Sequence, residues 1–256
     1  SIARMNLYLN GVEDFSIVNA DTLEKPGFVD GSRLRKFDIV LANPPYSIKQ
    51  WNREKFMNDK WGRNFLGTPP QGRADYAFFQ HILASMDEKT GRCAILFPHG
   101  VLFRKEEQEI RKELIKNDLV ECVIGLAPNL FYNSPMEACI IICKSNKTEE
   151  YKNRIVFINA VNEVVRKNAE SYLTDEHISK ISNAYFGHQD IEDFCKVVAK
   201  NDVLGKDGDL HISLYVAPKS FASSDSLTID DAIEKWNDAA RSVHECYTSL
   251  LELING

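Results

Sequence analysis

Phe-Asp-Ile-Val-Leu-Ala-Asn-Pro-Pro-Tyr, residues 37–46, is the most informative segment of this sequence for its fold. Its first six residues form an almost continuous apolar run, which is typical of a strand covered on both faces of a sheet. The run ends at Pro44 and Pro45, because proline cannot donate to a strand ladder and restricts the residue before it. We therefore predict a central strand over residues 37–42 that presents Asn43 and Tyr46 at the carboxyl edge of a sheet.

Apolar runs and helical patterns alternate around this strand. Further strands are predicted at residues 15–18, 93–97, 119–126, 138–143 and 155–159, and helices at residues 2–9, 74–86 and 104–116. This alternation predicts an α/β fold with a doubly wound, mostly parallel sheet. Ligands of such sheets bind at the carboxyl ends of the strands.

The pattern changes after residue 160 and predicts a helical C-terminal region. Helices are expected at residues 175–185 and 190–200, an extended piece at 210–216, and a long helix with an apolar stripe at 228–254. We predict three parts: a partial α/β domain at 1–160, a helical extension of it at 161–216, and a C-terminal helix at 217–256 suited to contact with another subunit.

The composition restricts the class of protein. The chain has 256 residues and a formal net charge of -6, which argues against a protein whose whole surface binds nucleic acid phosphates. No apolar run is long enough to span a membrane and no signal peptide is evident, so we expect a cytoplasmic protein. The six cysteines lack paired metal-ligand spacing, so we expect neither disulfides nor a metal site.

The segment 47–73 is a basic exception on this acidic chain. It contains six cations and two acidic residues, a local net charge of +4. It is also longer than a bare connector in a compact domain, and long loops of this kind are usually functional. Because it directly follows the motif at residues 43–46, we expect it to contact DNA through Lys49, Arg53, Lys60, Arg63 and Arg73, although a solvated loop would have the same composition.

The sequence Asn-Pro-Pro-Tyr at residues 43–46 suits the methylation of an exocyclic amino group. Such an amine must be held by two acceptors so that its nitrogen becomes pyramidal. Asn43 offers a side-chain carbonyl, and a backbone carbonyl can lie beside it because Pro45 has no N–H. Tyr46 can stack on a base, which is worth about 1–3 kcal/mol, once the base has been flipped out of a duplex. Asn43, Pro44, Pro45 and Tyr46 are thus the predicted catalytic residues.

Several stretches together resemble a known family, the modification (M) subunit of type I restriction-modification systems, which are N6-adenine DNA methyltransferases. The resemblance implies S-adenosylmethionine (SAM) as cofactor and DNA as substrate. It also implies a complex with a specificity (S) subunit, a restriction (R) subunit and a second M subunit. The matching stretches are residues 3–7, 19–23, 43–46, 74–78, 97–104 and 128–132.

The resemblance also assigns roles to single residues. Asp21 and Asn43 are the predicted cofactor-binding residues, with Asp21 corresponding to the acidic residue that hydrogen-bonds the SAM adenine; a turn or N-cap role for Asp21 is the alternative. Phe131 or Tyr132 would form the second aromatic face of the base pocket, and the sequence does not choose between them. For His99 we favour a structural role over that of a general base.

One element of the family is absent from this sequence. The Gly-rich SAM loop and the acidic residue for the SAM ribose would precede Ser1. We therefore expect residues 1–160 to be a partial methyltransferase domain that binds SAM weakly or not at all, and the fragment to be inactive. Two other functions remain open: a methyltransferase acting on RNA or on a protein glutamine, and a non-catalytic interaction module.

Overall fold

The computed structural model describes residues 2–131, 134–167 and 170–216, and five residues nearer the C-terminus (233, 236, 237, 240 and 241). The chain divides into two units, Ser1–Val216 and Ala217–Gly256. In the second unit the five described residues are helical, and Ile233 and Trp236 are exposed. The rest of the helix predicted at 228–254 lies outside the described residues.

The first unit alternates strands and helices along the chain. In order these are α1 (Ile2–Leu9), β1 (Val29–Asp30), β2 (Arg33–Leu34), β3 (Ile39–Ala42), α2 (Arg53–Met57), α3 (Asp75–Ala84), β4 (Arg92–Pro98), α4 (Gln108–Lys116), β5 (Val120–Leu126), β6 (Ala138–Lys144), β7 (Arg154–Ala160), β8 (Val165–Lys167), β9 (Glu170–Tyr172), α5 (Asp175–Gly187), β10 (Cys195–Ala199) and α6 (Lys200–Gly205). Short 3₁₀ turns occur at His99–Leu102, Lys105–Glu107 and Ile212–Leu214.

Six strands form the central sheet, in the order β10-β7-β5-β6-β4-β3. The pairs β3/β4 and β5/β7 are parallel, and β4/β6, β5/β6 and β7/β10 are antiparallel. Four of the six strands therefore point in one direction, and the α/β class is confirmed. The pairing is more mixed than predicted, because the described residues of the loop 127–137 contain no crossover helix and β6 returns antiparallel beside β5.

The core lies on both faces of the sheet, and β5 is buried at every position. On one face Phe79 of α3 and Leu114 of α4 pack against a cluster that includes Phe97. On the other face Ala184 of α5 packs against Ile124 and its neighbours. The helices predicted at 74–86, 104–116 and 175–185 are confirmed, with the second shortened by the 3₁₀ turn that precedes it. No helix among the described residues has the length and apolar content needed to cross a membrane.

Strand β3 is not the fully covered strand that residues 37–42 predict. Among the described residues it is the last strand of the sheet. Val40 and Ala42 pack against the core, whereas Ile39 and Leu41 are 62% and 78% exposed. The prediction was wrong because an apolar run shows that both faces suit burial but does not show which neighbours cover them.

Three further predictions of secondary structure, and one of domain organisation, were also wrong. Residues 15–18 are not a strand. Within 190–200, predicted as a helix, Asp190 accepts a hydrogen bond from the Val197 amide at 2.9 Å and closes a turn before β10. The extended piece at 210–216 contains a 3₁₀ turn. Because β8, β9 and β10 lie in residues 161–216, this part is not simply a helical extension.

Candidate active site

A groove of about 520 Å³ runs along the exposed side of β3. One wall includes Val18, Ala20 and Thr22, and the other includes Ile39, Leu41 and the motif residues Asn43, Pro44 and Pro45. We call this cleft the β3 groove. Its volume lies in the range of small-molecule sites, which are mostly apolar with a few polar groups. The structure thus brings two of the sequence stretches singled out above, 19–23 and 43–46, to one site.

Asn43 and Tyr46 contact each other at the end of β3. The Tyr46 hydroxyl donates a hydrogen bond of 2.5 Å to Asn43 Oδ1. Burial raises the pKa of Tyr46, with smaller contributions from Cys139 and Asp75, so the phenol stays protonated and acts as the donor. A carbonyl oxygen has two lone pairs. The bond therefore orients the Asn43 amide and leaves one lone pair of its oxygen for another donor.

Asp75 holds the backbone directly after Tyr46 by a hydrogen bond. Ser47 has a φ of +52°, a backbone conformation that residues other than glycine rarely adopt. Its amide donates a hydrogen bond of 2.7 Å to Asp75 Oδ1. Asp75 is the first residue of α3 and is fully buried. Its second oxygen, Oδ2, accepts a hydrogen bond of 2.7 Å from Arg104 Nη1.

Gly100 and Arg111 bring Arg104 to this position. A Cβ atom at Gly100 would lie 2.7 Å from Arg104 Nε, so the guanidinium packs where a side chain at residue 100 would stand. The Arg104 carbonyl accepts a hydrogen bond of 2.6 Å from buried Arg111. Sequence reasoning did not single out Asp75 and Arg104, which together hold the backbone after Tyr46. The stretches 74–78 and 97–104 were the signal, but nothing in them shows that the two side chains meet.

Glu107, beside this pair, gives a prediction about pH. Neither of its buried carboxylate oxygens has a hydrogen-bond partner among the described residues, and burial raises the pKa of Glu107 from 4.5 to about 7 although Arg104 opposes the shift. The contribution of such a carboxyl group to the free energy of unfolding is fully present below pH 4.5. It is lost as the group ionises inside the fold when the pH rises through 7. We therefore expect Glu107→Gln to raise the free energy of unfolding at alkaline pH, by a few kcal/mol.

Urea unfolding of Glu107→Gln at about pH 4.5 and about pH 8 measures this effect. The exposed neighbour Glu106 provides the control, since Glu106→Gln should change stability little at either pH. An equal gain for Glu107→Gln at both pH values would contradict the assignment.

The basic loop does not present all its cations to solvent. Arg63, predicted to contact DNA, is 1% exposed. Its guanidinium pairs with Asp59 at 2.7 Å and donates to the carbonyls of Thr22 and Leu23 at 2.8 and 2.7 Å. The prediction for Arg63 was wrong, because charge composition cannot distinguish a surface cation from one that fastens a loop. Arg63 instead ties the loop to the wall of the β3 groove.

The other four cations remain candidates for DNA contact. Lys49 is exposed, and Arg53 and Arg73 are half-buried, with Arg53 Nε donating to the Pro69 carbonyl at 2.8 Å. Lys60 is separate from these, since it lies over the Trp61 ring at 4.4 Å and lines another groove with Arg33. Their role in binding DNA stays a prediction.

Asp21 is exposed at the lip of the β3 groove, between the lining residues Ala20 and Thr22. Its Oδ1 accepts hydrogen bonds from the amides of Leu23 and Glu24 at 3.0 and 2.9 Å. Asp21 therefore has the turn role that was the alternative. The turn uses one carboxylate oxygen, so a cofactor role for the other is compatible with it and stays a prediction.

The remaining predicted residues lie at neighbouring strand ends. Phe131, after β5, is half-buried against the cluster around Ile124, and Tyr132 lies outside the described residues. His99 follows β4; its ring packs against His211 with centroids 5.4 Å apart, and burial, with help from His211, lowers its pKa. These contacts suit the structural role that we favour for His99.

Five of the cysteines are described, and all five are free and buried. Burial raises the pKa of the thiols of Cys122, Cys139 and Cys143, so they are inert side chains of the core. Cys246 lies outside the described residues. Within the part of the chain that the structure describes, no three His, Cys, Asp or Glu side chains are grouped as metal ligands.

Comparison with known proteins gives these residues a family. The N-6 DNA Methylase family model matches residues 1–224. The MjaVIII type I restriction enzyme methylase subunit of Methanocaldococcus jannaschii is 34% identical over 270 residues, covering 100% of this chain and 45% of that protein. The MpnII type I methylase subunit of Mycoplasma pneumoniae is 31% identical, covering 96% and 47%. The chain thus spans about half the length of the curated relatives it matches.

Solved structures agree with the sequence comparison. The methyltransferase subunit of a type I restriction-modification system from Streptococcus thermophilus matches with a TM-score of 0.77 and 37% identity, over 84% of this chain and 46% of that chain. The EcoKI M protein, with a TM-score of 0.60 and 18% identity, shares the fold. With the family model matching most of its length, including the β3 groove and the residues at the end of β3, the chain belongs to the N-6 DNA methylase family.

Proposed function

We propose that this chain is the catalytic part of a SAM-dependent DNA methyltransferase that modifies N6 of adenine within a type I restriction-modification system. The observation that carries the proposal is the arrangement of Asn43. Its side-chain oxygen lies at the end of β3 beside an open groove and is oriented by the Tyr46 hydroxyl. The names of the relatives, each said of that relative, support the choice of DNA and of the type I class.

The arrangement can hold an amine by its two N–H bonds. The free lone pair of Asn43 Oδ1 accepts one N–H, and the backbone carbonyl of Pro44, on a peptide without an N–H, accepts the other. An amino group held in this way becomes pyramidal and directs its lone pair away from both acceptors. Positioning of this kind accounts for much of the rate in a transfer between two bound partners.

The cofactor supplies the activated methyl group when it is bound, so no metal is required by the chemistry. The β3 groove has the volume of a nucleoside-sized site. Asp21, beside the groove, retains a carboxylate oxygen that can accept a hydrogen bond from the adenine amine of the cofactor. Asn43, at the end of the groove, would hold the substrate amine beside the cofactor. These residues therefore fit SAM. The expectation that they bind it only weakly by themselves stays a prediction.

The flipped base would be held by aromatic stacking. Tyr46 keeps its hydroxyl bound to Asn43 and leaves a ring face for the base, an interaction worth about 1–3 kcal/mol. Phe131 or Tyr132 would supply the second face. Lys49, Arg53 and Arg73 would contact the DNA backbone, with Lys60 contributing from the neighbouring groove.

The acidic net charge suggests that sequence recognition is shared with partners. We propose that an S subunit carries the DNA sequence readout, that an R subunit and a second M subunit complete the complex, and that it acts in the cytoplasm. The second unit, Ala217–Gly256, would contact the S subunit, since Ile233 and Trp236 are 51% and 71% exposed. Exposed large apolar side chains of this kind often mark a protein interface.

Transfer of labelled methyl from SAM tests the proposal. The full-length protein, co-purified with its neighbouring S subunit, is incubated with DNA and the modified nucleoside is identified. We expect N6-methyladenine. Label in RNA or in a protein glutamine instead would replace DNA as the substrate, and no transfer to any of them, with SAM binding confirmed, would favour a non-catalytic interaction module.

A further inference from the structure

The loop that carries Asn43 and Tyr46 is hydrogen-bonded to one member of a buried ion pair, Asp75 and Arg104. We propose that Asp75 and Arg104 are positioning residues that fix the conformation of residues 43–47 and so set the rate of methyl transfer. Neither residue would contact the base or the cofactor. The inference rests on the proposed function for its effect on rate, but not for its effect on the conformation of the loop.

Asp75 joins the loop to the core with a single carboxylate. Oδ1 accepts the amide of Ser47 and Oδ2 accepts Arg104 Nη1, both at 2.7 Å. Ser47 follows Tyr46 immediately and has a φ of +52°, a left-handed conformation that is unfavourable for a residue with a side chain. The hydrogen bond to Asp75 compensates this cost, so it selects the direction in which the loop leaves Tyr46.

The burial of the pair explains why the Asp75 carboxylate has a single orientation. The Asp75 side chain is fully buried and that of Arg104 is 14% exposed. A buried ion pair adds little net stability but strongly penalises the loss of either partner. Each oxygen of Asp75 faces its own donor, so the carboxylate has one satisfactory orientation. Because Arg104 is fixed in turn by the space at Gly100, this orientation is passed to Ser47.

The molecule contains a matched pair away from the site. Asp118 Oδ1 pairs with buried Lys147 at 2.8 Å, and Oδ2 accepts the amide of Asn153 at 2.9 Å. Asn153 also has a positive φ, of +57°. Asp118 precedes β5 and so lies at the edge of the sheet opposite the carboxyl end where Asn43 follows β3. It repeats the chemistry of Asp75 without touching the loop.

The experiment compares Asp75→Asn with Asp118→Asn in the full-length protein with its S subunit. In asparagine an NH₂ group, which cannot accept, replaces one of the two carboxylate oxygens. Because the charged partner holds the remaining oxygen more strongly, each variant loses its bond to the backbone amide. For Asp75→Asn we expect kcat to fall on the order of 10²-fold, with KM for SAM unchanged, and hydrogen exchange at the Ser47 amide to accelerate. For Asp118→Asn, exchange should accelerate at Asn153 while kcat stays at the wild-type value.

Equal kcat values for the two variants would overturn the proposal, and so would unchanged exchange at Ser47 in Asp75→Asn. If the wild-type protein transfers no methyl group, the proposed function fails, and the exchange measurement still decides whether Asp75 fixes the loop. Arg104→Lys serves if Asp75→Asn does not fold. It keeps the charge but lacks the fixed fork of the guanidinium, and it should lower kcat and loosen Ser47 in the same way.

Discussion

Asn43→Ala is expected to lower methyl transfer by the full-length protein about 10³-fold, comparable to the loss of one preorganised polar group that stabilises a transition state. Alanine removes the acceptor for one amine N–H and the partner of the Tyr46 hydroxyl. Because Asn43 also lines the β3 groove, the rate is compared at saturating SAM, so that any loss of SAM affinity does not enter it. Single-turnover transfer of labelled methyl to DNA measures the effect on the chemical step.

Two further variants separate the parts of this effect. Tyr46→Phe keeps the ring for stacking but loses the bond that orients Asn43, and should lower the rate about tenfold, as expected for one hydrogen bond. Asn146→Ala, on the exposed turn between β6 and β7, should leave the rate unchanged. Wild-type methylation by Asn43→Ala would refute a catalytic role for the residues at the end of β3.

Arg63→Met is expected to lower the free energy of unfolding by about 3–5 kcal/mol, the range for one partner removed from a buried ion pair. Methionine has a similar length but cannot pair with Asp59 or donate to the carbonyls of Thr22 and Leu23. Asp59 would then remain inside the fold without its counter-charge. Urea unfolding monitored by tryptophan fluorescence measures the loss.

The chain offers a matched control for Arg63. Lys55 also joins the basic loop to residues 21–24, through an ion pair with Glu24 at 3.1 Å. Both side chains of this pair are about half exposed. Lys55→Met should therefore cost only about 0–1 kcal/mol. Similar losses for the two variants would show that Arg63 does not fasten the loop by its buried pair. Arg63→Met should also loosen residues 21–24 at the groove.

The sequence predicted the elements whose signals are local. An apolar run stopped by two prolines was enough to locate β3 and the residues after it, and the 3.6-residue period was enough for α3 and α4. Residues 190–200 show where this fails, since the predicted helix is replaced by β10, which pairs antiparallel with β7. Short apolar segments suit either structure, and tertiary contacts decide between them.

The site was predictable only in part for the same reason. Asn43 and Tyr46 are recognisable because the chemistry needs them next to each other. Asp75 and Arg104 are separated by 29 positions, and their meeting depends on how α3 and the turn after β4 pack together. Arg63 had the composition of a surface cation but the environment of a core residue. Charge and spacing do not reveal such packing.

The exposed edge of β3 affects the solution behaviour of residues 1–256 when they are prepared alone. Ile39 and Leu41 present apolar side chains next to backbone groups at the end of the described sheet. Natural proteins protect such edges with charges, prolines or bulges, because an uncovered edge is a template for pairing with another chain. Residues 1–256 prepared alone at high concentration would therefore tend to pair through β3, and a further strand or a charged side chain along this edge would be needed to keep them monomeric.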